Sequence, residues 1–173
     1  LHVGTIEPRK NLHLLLKIFE KIKKYYPEIK LVLVGREGWK MKTFLQELEQ
    51  HPFRSDIIKT GYIDSSELAT VYNHAVCLML TSHYEGFGIP LLEAMTCGCP
   101  VITYNNSAQA EVCANAALYM NTSDTEAWMQ AFHTLYSNPE FRASCIEKGY
   151  QRATYFNWNK SAQLFDQYIS ELF

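Results

Sequence analysis

The sequence predicts an α/β domain, a Rossmann-like, doubly wound parallel sheet of about six strands with helices on both faces. Three observations predict it. Short apolar runs of strand length alternate along the whole chain with longer stretches in which apolar residues recur three and four positions apart. The segments that follow the runs carry glycine, at Gly4, Gly35, Gly61 and Gly86 to Gly88, as turns leading out of strands do. The composition, 47% hydrophobic and 13% aromatic over 173 residues, supplies a core for one such domain and argues against disorder.

Taken in order, Leu1-His2-Val3 reads as the first strand, closed by Gly4. The chain thus opens inside a strand, and residues upstream are expected. A helix begins near Lys10, with Leu12, Leu15, Leu16, Phe19 and Ile22 on its apolar face. Lys17, Lys21, Lys23 and Lys24 fall on the other side and, interrupted by Glu20, read as a solvated face. Pro27 closes the helix. Lys30 to Val34 is the second strand, ended by Gly35-Arg36-Glu37-Gly38, and a helix follows from about Met41 to Gln50. Asp56 to Thr60 is a short third strand, continued by Gly61-Tyr62-Ile63. Asp64 with Glu67 three positions later has the spacing of a capping box, so a helix should run from there to about His74.

Val76 to Leu80 is the fourth strand, and the helix after it ends at Gly98. Pro100 to Tyr104 is the fifth, followed by the polar Asn105-Asn106-Ser107 and a short helix carrying Glu111. Ala117 to Met120 is the sixth, and the turn residues Asn121 to Asp124 precede a helix from about Thr125 to Ser137. After Asn138-Pro139 a helix runs from Glu140 to about Tyr155, with Phe141, Cys145 and Ile146 on one side. The last helix, from about Asn159, has Ala162, Phe165, Tyr168, Ile169 and Leu172 at helical spacing, and Trp158 is expected to plug the join before it. No repeat or linker divides the chain, so a single domain over residues 1–173 is expected.

The chemistry is expected between Tyr84 and Met95. There a buried strand leads through Gly86-Phe87-Gly88-Ile89 into a helix with Pro90 in its first turn, where a missing N–H costs nothing. Such a junction aims backbone N–H groups and a positive helix end at one point, which suits an anion. Glu85 and Glu93 bracket it. A carboxylate beside a phosphate is repelled by it, so these two suit hydroxyl groups on whatever carries the phosphate. Phosphate on N–H groups and sugar hydroxyls on carboxylates together describe a nucleotide sugar. The loops at Gly4 to Lys10, Gly35 to Gly38, Gly61 to Ile63 and Glu85 to Gly88 all follow strands, so in a parallel sheet they converge on one edge. His83 reads as a loop histidine, because nothing nearby supplies a nucleophile for it to activate.

Other classes are disfavoured. A net charge of −2 argues against general nucleic-acid binding. No run of 18 apolar residues spans a membrane. Neither GxGxxG nor GxxxxGK[ST] occurs, which sets aside the commonest dinucleotide and P-loop sites. The five cysteines are odd in number, and Cys97-Gly98-Cys99 has no second Cys or His pair at zinc spacing. They read as small buried thiols in a reducing compartment, and no metal or cofactor is expected.

The Glu85-to-Glu93 spacing resembles the motif of the retaining glycosyltransferases of the GT-B fold, most closely the large family 4, or group 1, of nucleotide-sugar-dependent enzymes. The resemblance extends along nearly the whole chain, through Gly4-Thr5-Ile6-Glu7-Pro8-Arg9-Lys10-Asn11, Ser107 to Val112 with Ala116-Ala117-Leu118, and Phe156-Asn157-Trp158. It implies that Lys10 and Arg9 stabilise the leaving diphosphate, that Glu85 lies at the donor sugar, and that Glu93 binds the ribose. It further implies that Gly4, Thr5 and the Gly86, Phe87, Gly88 and Ile89 segment bind phosphate. Arg36 is either a donor contact or solvated; Tyr62, with Ile63, either lies against the base or packs under its loop. Glu111 either helps to hold the donor loop or is a surface carboxylate. Many members carry arginine directly after the first glycine; here that residue is Thr5, and Arg9 is the candidate for the second positive charge.

The expected function is that of the donor-binding, C-terminal domain of a hexosyltransferase in glycan, lipopolysaccharide or capsule synthesis. The Glu-Pro-Arg-Lys-Asn run resembles that of enzymes often assigned as mannosyltransferases, which implies a GDP-linked sugar, with UDP close behind. The implied partners are the nucleotide sugar, an absent N-terminal acceptor domain, and a sugar or lipid-linked acceptor. The implied location is cytoplasmic, with peripheral contact at the inner face of the membrane compatible with it. The competing readings are a Rossmann oxidoreductase and a non-catalytic nucleotide-binding module.

Overall fold

Short runs of four or fewer apolar residues such as Leu-Val-Leu-Val cannot bury themselves as helices, and in the computed structural model, which describes residues 1–172, they form strands. In chain order these are β1 (His2–Val3), β2 (Leu31–Val34), β3 (Ile57–Gly61), β4 (Leu78–Leu80), β5 (Val101–Tyr104) and β6 (Ala117–Met120). The helices between and after them are α1 (Leu12–Tyr25), α2 (Lys42–Glu49), α3 (Ser65–His74), α4 (Ile89–Thr96), α5 (Ser107–Cys113), α6 (Thr125–Ser137), α7 (Pro139–Ala153) and α8 (Trp158–Ser170). Phe173, the last residue of the predicted terminal helix, lies outside the described residues.

All strand pairs are parallel, as predicted, but the ladders form two three-stranded sheets, β1-β2-β3 and β4-β5-β6, rather than one continuous sheet. The seam falls between β1 and β4, where Leu1 alone makes the pair of bonds that parallel strands exchange. Its amino group donates to the Cys77 carbonyl at 3.1 Å and its carbonyl accepts from Met79 N–H at 2.9 Å. Across that seam the strand order is 3-2-1-4-5-6, with its reversal point between β1 and β4.

Because successive strand residues point to opposite faces, a sheet covered on both sides needs apolar residues throughout. Leu78 and Leu80 of β4 and Val101 of β5 enter one core with Tyr72, Leu91, Ala94 and Met95. Met79 and Ile102 enter the other, with the apolar face of α1, Phe44 of α2 and Trp128 and Phe132 of α6. Asp124, Asn138 and Asn157 cap α6, α7 and α8 by accepting N–H bonds of 2.8 to 3.0 Å.

Three local expectations are corrected. Asp64 does occupy the N-cap of α3, but its side chain makes no capping bond. Lys23 is not on the solvated face: its chain is buried, paired with Asp56 at 2.9 Å and bound to the Pro27 carbonyl, since α1 turns that residue under the Pro27 corner. Trp158 plugs nothing and is 89% exposed. The apolar residues of α8 are exposed, and the helix holds no buried residue.

Candidate functional site

The turn after β1 and the turn after β4 are stitched to each other. The first turn folds as a short 3-10 turn, Pro8–Lys10, and ends at Asn11 in the left-handed region (φ 50°). Thr81, fully buried directly after β4, donates its hydroxyl to the Lys10 and Asn11 carbonyls at 2.9 and 3.2 Å. His83 N–H donates to the Arg9 carbonyl at 3.0 Å, and the Arg9 guanidinium donates to the Tyr84 carbonyl at 2.6 Å. With the backbones so fixed, Lys10 and Arg9 reach Glu85 from one side. Lys10 Nζ donates to Glu85 Oε1 and Arg9 Nη1 to Glu85 Oε2, both at 2.7 Å, while Arg9 Nη2 donates to Glu7 Oε1 at 2.7 Å. The side chains of Lys10 and Glu85 are 7% and 6% exposed and that of Arg9 is 40% exposed, so Arg9 is the cation open to solvent.

Burial alone pushes the Glu85 carboxyl up. The hydrogen bonds from Lys10 and Arg9, with the nearby Ser82 hydroxyl, outweigh it and hold Glu85 below the usual carboxylate range. The neighbouring His2 is fully buried, and burial followed by the repulsion of Lys10 pushes its imidazole down to about 3. It is therefore neutral, and among the described residues neither ring nitrogen has a hydrogen-bond partner.

The junction of strand, glycine loop and helix read from the sequence is present in the backbone. Gly88 is the N-cap of α4 at φ 90°, which glycine adopts without a Cβ penalty, and Pro90 sits in the first turn. Among the described residues, the N–H groups of Gly86, Phe87, Gly88 and Ile89 donate to no protein acceptor, while the next one, of Glu85, donates to Ser107 Oγ at 3.2 Å. Phe87 is half-exposed and meets Phe156 edge-on at 5.7 Å, which ties the loop to the segment before α8.

Gly4 lies beside Lys10: a Cβ there would sit 3.3 Å from Lys10 Cε. Thr5 is exposed next to it. The turn after β2 crosses so close that a Cβ on Gly35 would lie 2.0 Å from the Gly4 carbonyl oxygen. Arg36 stands with its guanidinium 4.9 Å from the centre of the Tyr62 ring, and both side chains are exposed, so Tyr62 is not packed beneath its loop. Ile63 is half-buried against the core.

Glu93 is separate from the cationic cluster. It is half-buried on α4, and its Oε2 accepts from the Tyr72 hydroxyl at 2.9 Å. Direct contacts thus join Lys10, Arg9 and Glu85; Glu93 is linked to them through the loop 85–93. An apolar cavity of about 550 Å³ opens at the other edge of the sheet, lined by Leu1, Leu31, Ile58, Val76 and Cys77 among others, and touches none of these residues.

Sequence reasoning missed the polar frame behind the loop. Gln109, fully buried on α5, donates to the Ser82 carbonyl at 3.1 Å and to Asn106 Oδ1 at 2.7 Å, and accepts from Thr103; Asn106 donates to the His83 carbonyl at 3.2 Å. The signal was present as polar residues at Thr81 and Thr103 inside or beside apolar runs, where a buried hydroxyl needs a partner. Glu111, by contrast, is exposed, and only its backbone carbonyl is engaged, by Arg152 at 2.7 Å. Among the described residues no group of three or more His, Cys, Asp or Glu side chains could hold a metal ion, and no helix is long and apolar enough to cross a membrane.

Residues 1–152 match the family described as glycosyl transferases group 1. The chain is 32% identical over 173 residues to O-antigen chain mannosyltransferase B of Escherichia coli, covering 97% of this chain and 45% of that protein. It therefore spans less than half the length of that relative. A crystal structure of the C-terminal domain of a glycosyl transferase group 1 family protein (LpcC) from Francisella tularensis superposes with a TM-score of 0.76 at 26% identity, covering 88% of this chain and 82% of that one. Anabaena HepE in complex with UDP-glucose superposes with a TM-score of 0.87 at 18% identity, over 98% of this chain and 48% of that one. The fold is that of one half of a GT-B glycosyltransferase.

Proposed function

This chain belongs to the group 1 glycosyl transferases, and from that premise we propose that it is the donor-binding domain of a retaining hexosyltransferase. It takes a sugar from a nucleoside diphosphate sugar and passes it to a sugar or lipid-linked acceptor held mainly by a second domain. The observation that carries the reading is the pairing of Lys10 and Arg9 on Glu85 next to the free N–H groups of Gly86 to Ile89. As the bond between the anomeric carbon and the diphosphate breaks, negative charge grows on the diphosphate oxygens. Fixed cations and N–H groups aimed there lower the barrier without reorganising. Glu85 sets the positions of both cations and lies where donor hydroxyls arrive; a hydroxyl would share an oxygen that one cation now holds. Glu93, farther along α4, takes the ribose hydroxyls, and the exposed pair of Arg36 and Tyr62 offers a flat surface to the base.

A mannosyl donor is favoured by the Glu7-Pro8-Arg9-Lys10-Asn11 run together with the mannosyltransferase name of the Escherichia coli relative. A GDP-linked sugar is accordingly the first choice, and the UDP-glucose complex of the structural neighbour keeps a UDP-sugar second. Calorimetric titration of the chain with GDP-mannose, UDP-glucose, the two free nucleoside diphosphates and NAD tests this. Binding of the nucleotides and nucleotide sugars with NAD excluded is expected. Preference for NAD, or no binding by any of them, would overturn the reading.

A further inference from the structure

Among the described residues, Tyr72 is the only one that hydrogen-bonds the Glu93 side chain. It sits on α3, 1% exposed, in the same core as Leu91, Ala94 and Met95. Across 21 positions of sequence its hydroxyl donates to Glu93 Oε2 at 2.9 Å. Among the described residues Glu93 has no cation partner, and its Oε1 accepts from no protein group. Glu85 is the opposite case, with each oxygen held by a cation.

The difference is chemical. A phenol donates one hydrogen bond and brings no charge, so it pins a carboxylate without neutralising it. Burial, with the adjacent Glu93 charge, raises the Tyr72 hydroxyl above its ordinary range, so it remains a donor at every working pH. The ring, locked in the core, has no freedom to follow the carboxylate elsewhere. A hydroxyl at this depth would also be costly to leave unpartnered, and Glu93 is its one acceptor among the described residues.

We infer that Tyr72 is a positioning residue for nucleotide recognition: it holds Glu93 by one oxygen and leaves the other free to accept from the ribose hydroxyls. This rests on the proposed ribose role of Glu93. The prediction concerns a ratio, since a residue that only supported the core would weaken all ligands alike.

The experiment measures the affinity of the chain for GDP and UDP and for their 2′,3′-dideoxy counterparts, in wild type, Tyr72→Phe, Glu93→Gln and the double variant, with thermal melts of each. Wild type should favour the ribonucleotides. Tyr72→Phe should lose roughly tenfold on them, the scale of one charge-assisted hydrogen bond, and less than about twofold on the dideoxy forms. In the Glu93→Gln background the same substitution should change ribonucleotide affinity by less than about twofold. If wild type discriminates and Tyr72→Phe weakens both classes equally, or neither, the positioning role is overturned while the Glu93 assignment stands. If wild type binds both classes equally, or binds neither, the Glu93 assignment itself falls and takes this inference with it.

Discussion

Glu85 is a buried anion between two cations, and its removal leaves Lys10 as a buried, unpaired charge. Breaking such a pair costs about 3 kcal/mol or more. Glu85→Gln should therefore lower stability in urea by that order, whereas Lys10→Met should cost less, since Arg9 still holds the carboxylate. Lys10→Met should instead weaken nucleoside diphosphate binding, read by calorimetry. The buried imidazole of His2 sets a pH dependence of its own. Its value is about 3 when folded against 6.5 as a free side chain, so the unfolded chain binds more protons throughout that interval. Stability from this group is complete above 6.5 and falls as the pH drops towards 3, by about 2 kcal/mol between neutrality and pH 5. Denaturation at the two pH values should show that loss, and His2→Leu should remove most of it; an unchanged slope in His2→Leu would place the effect elsewhere. At this scale the sequence offered the candidate residues, but not their partners. Lys10 and Glu85 are 75 positions apart, and nothing local in either stretch says that Glu85 would be occupied by cations or that Tyr72 would meet Glu93.

The secondary elements follow the sequence closely where periodicity and turn chemistry agree. The helix Thr125–Ser137 and strand Ala117–Met120 fall at their expected bounds, while β4 begins at Leu78 rather than Val76, since strand ends depend on neighbours. The apolar stripe of α8 was equally legible, yet its exposure was not: a period identifies an apolar face and is silent on what covers it. Deleting residues 158–173 should accordingly change the urea midpoint little, because α8 buries no residue, and should reduce binding of a hydrophobic dye. A large fall in the midpoint would show that α8 supports the core. The turns are less forgiving. A methyl on Gly35 meets backbone at 2.0 Å, and the residue holds φ 140°, so Gly35→Ala must part the turns after β1 and β2. A loss of about 2 kcal/mol or more is expected, together with weaker nucleotide binding.

As a whole molecule the chain holds one Rossmann-like α/β fold and spans 45% of the Escherichia coli relative. Transfer by a two-domain enzyme needs a cleft closed from both sides, so this chain is expected to bind a nucleoside diphosphate weakly and to transfer no sugar. Binding should weaken as salt rises, because Arg9 is open to solvent. An assay with nucleotide-sugar donors and a panel of acceptors, run beside calorimetry at several salt concentrations, checks both; sustained turnover would refute the need for a second domain. The layered α/β architecture was legible from alternation alone, whereas the division of the sheet was not, because strand runs carry no record of ladder length. That division bears on motion. Lys10 and Arg9 belong to the β1-β2-β3 half and Glu85 to the β4-β5-β6 half, so the ion pairs act as a clasp at the site end of a seam that is also held by Leu1, by the bonds of Thr81, His83 and Arg9 to the facing turn, and by the two cores that both halves share. Breathing of one half against the other would be recorded in the amide hydrogen exchange of Met79 and His83, which should slow when a diphosphate engages both sides of the clasp and quicken when Glu85 is replaced by glutamine.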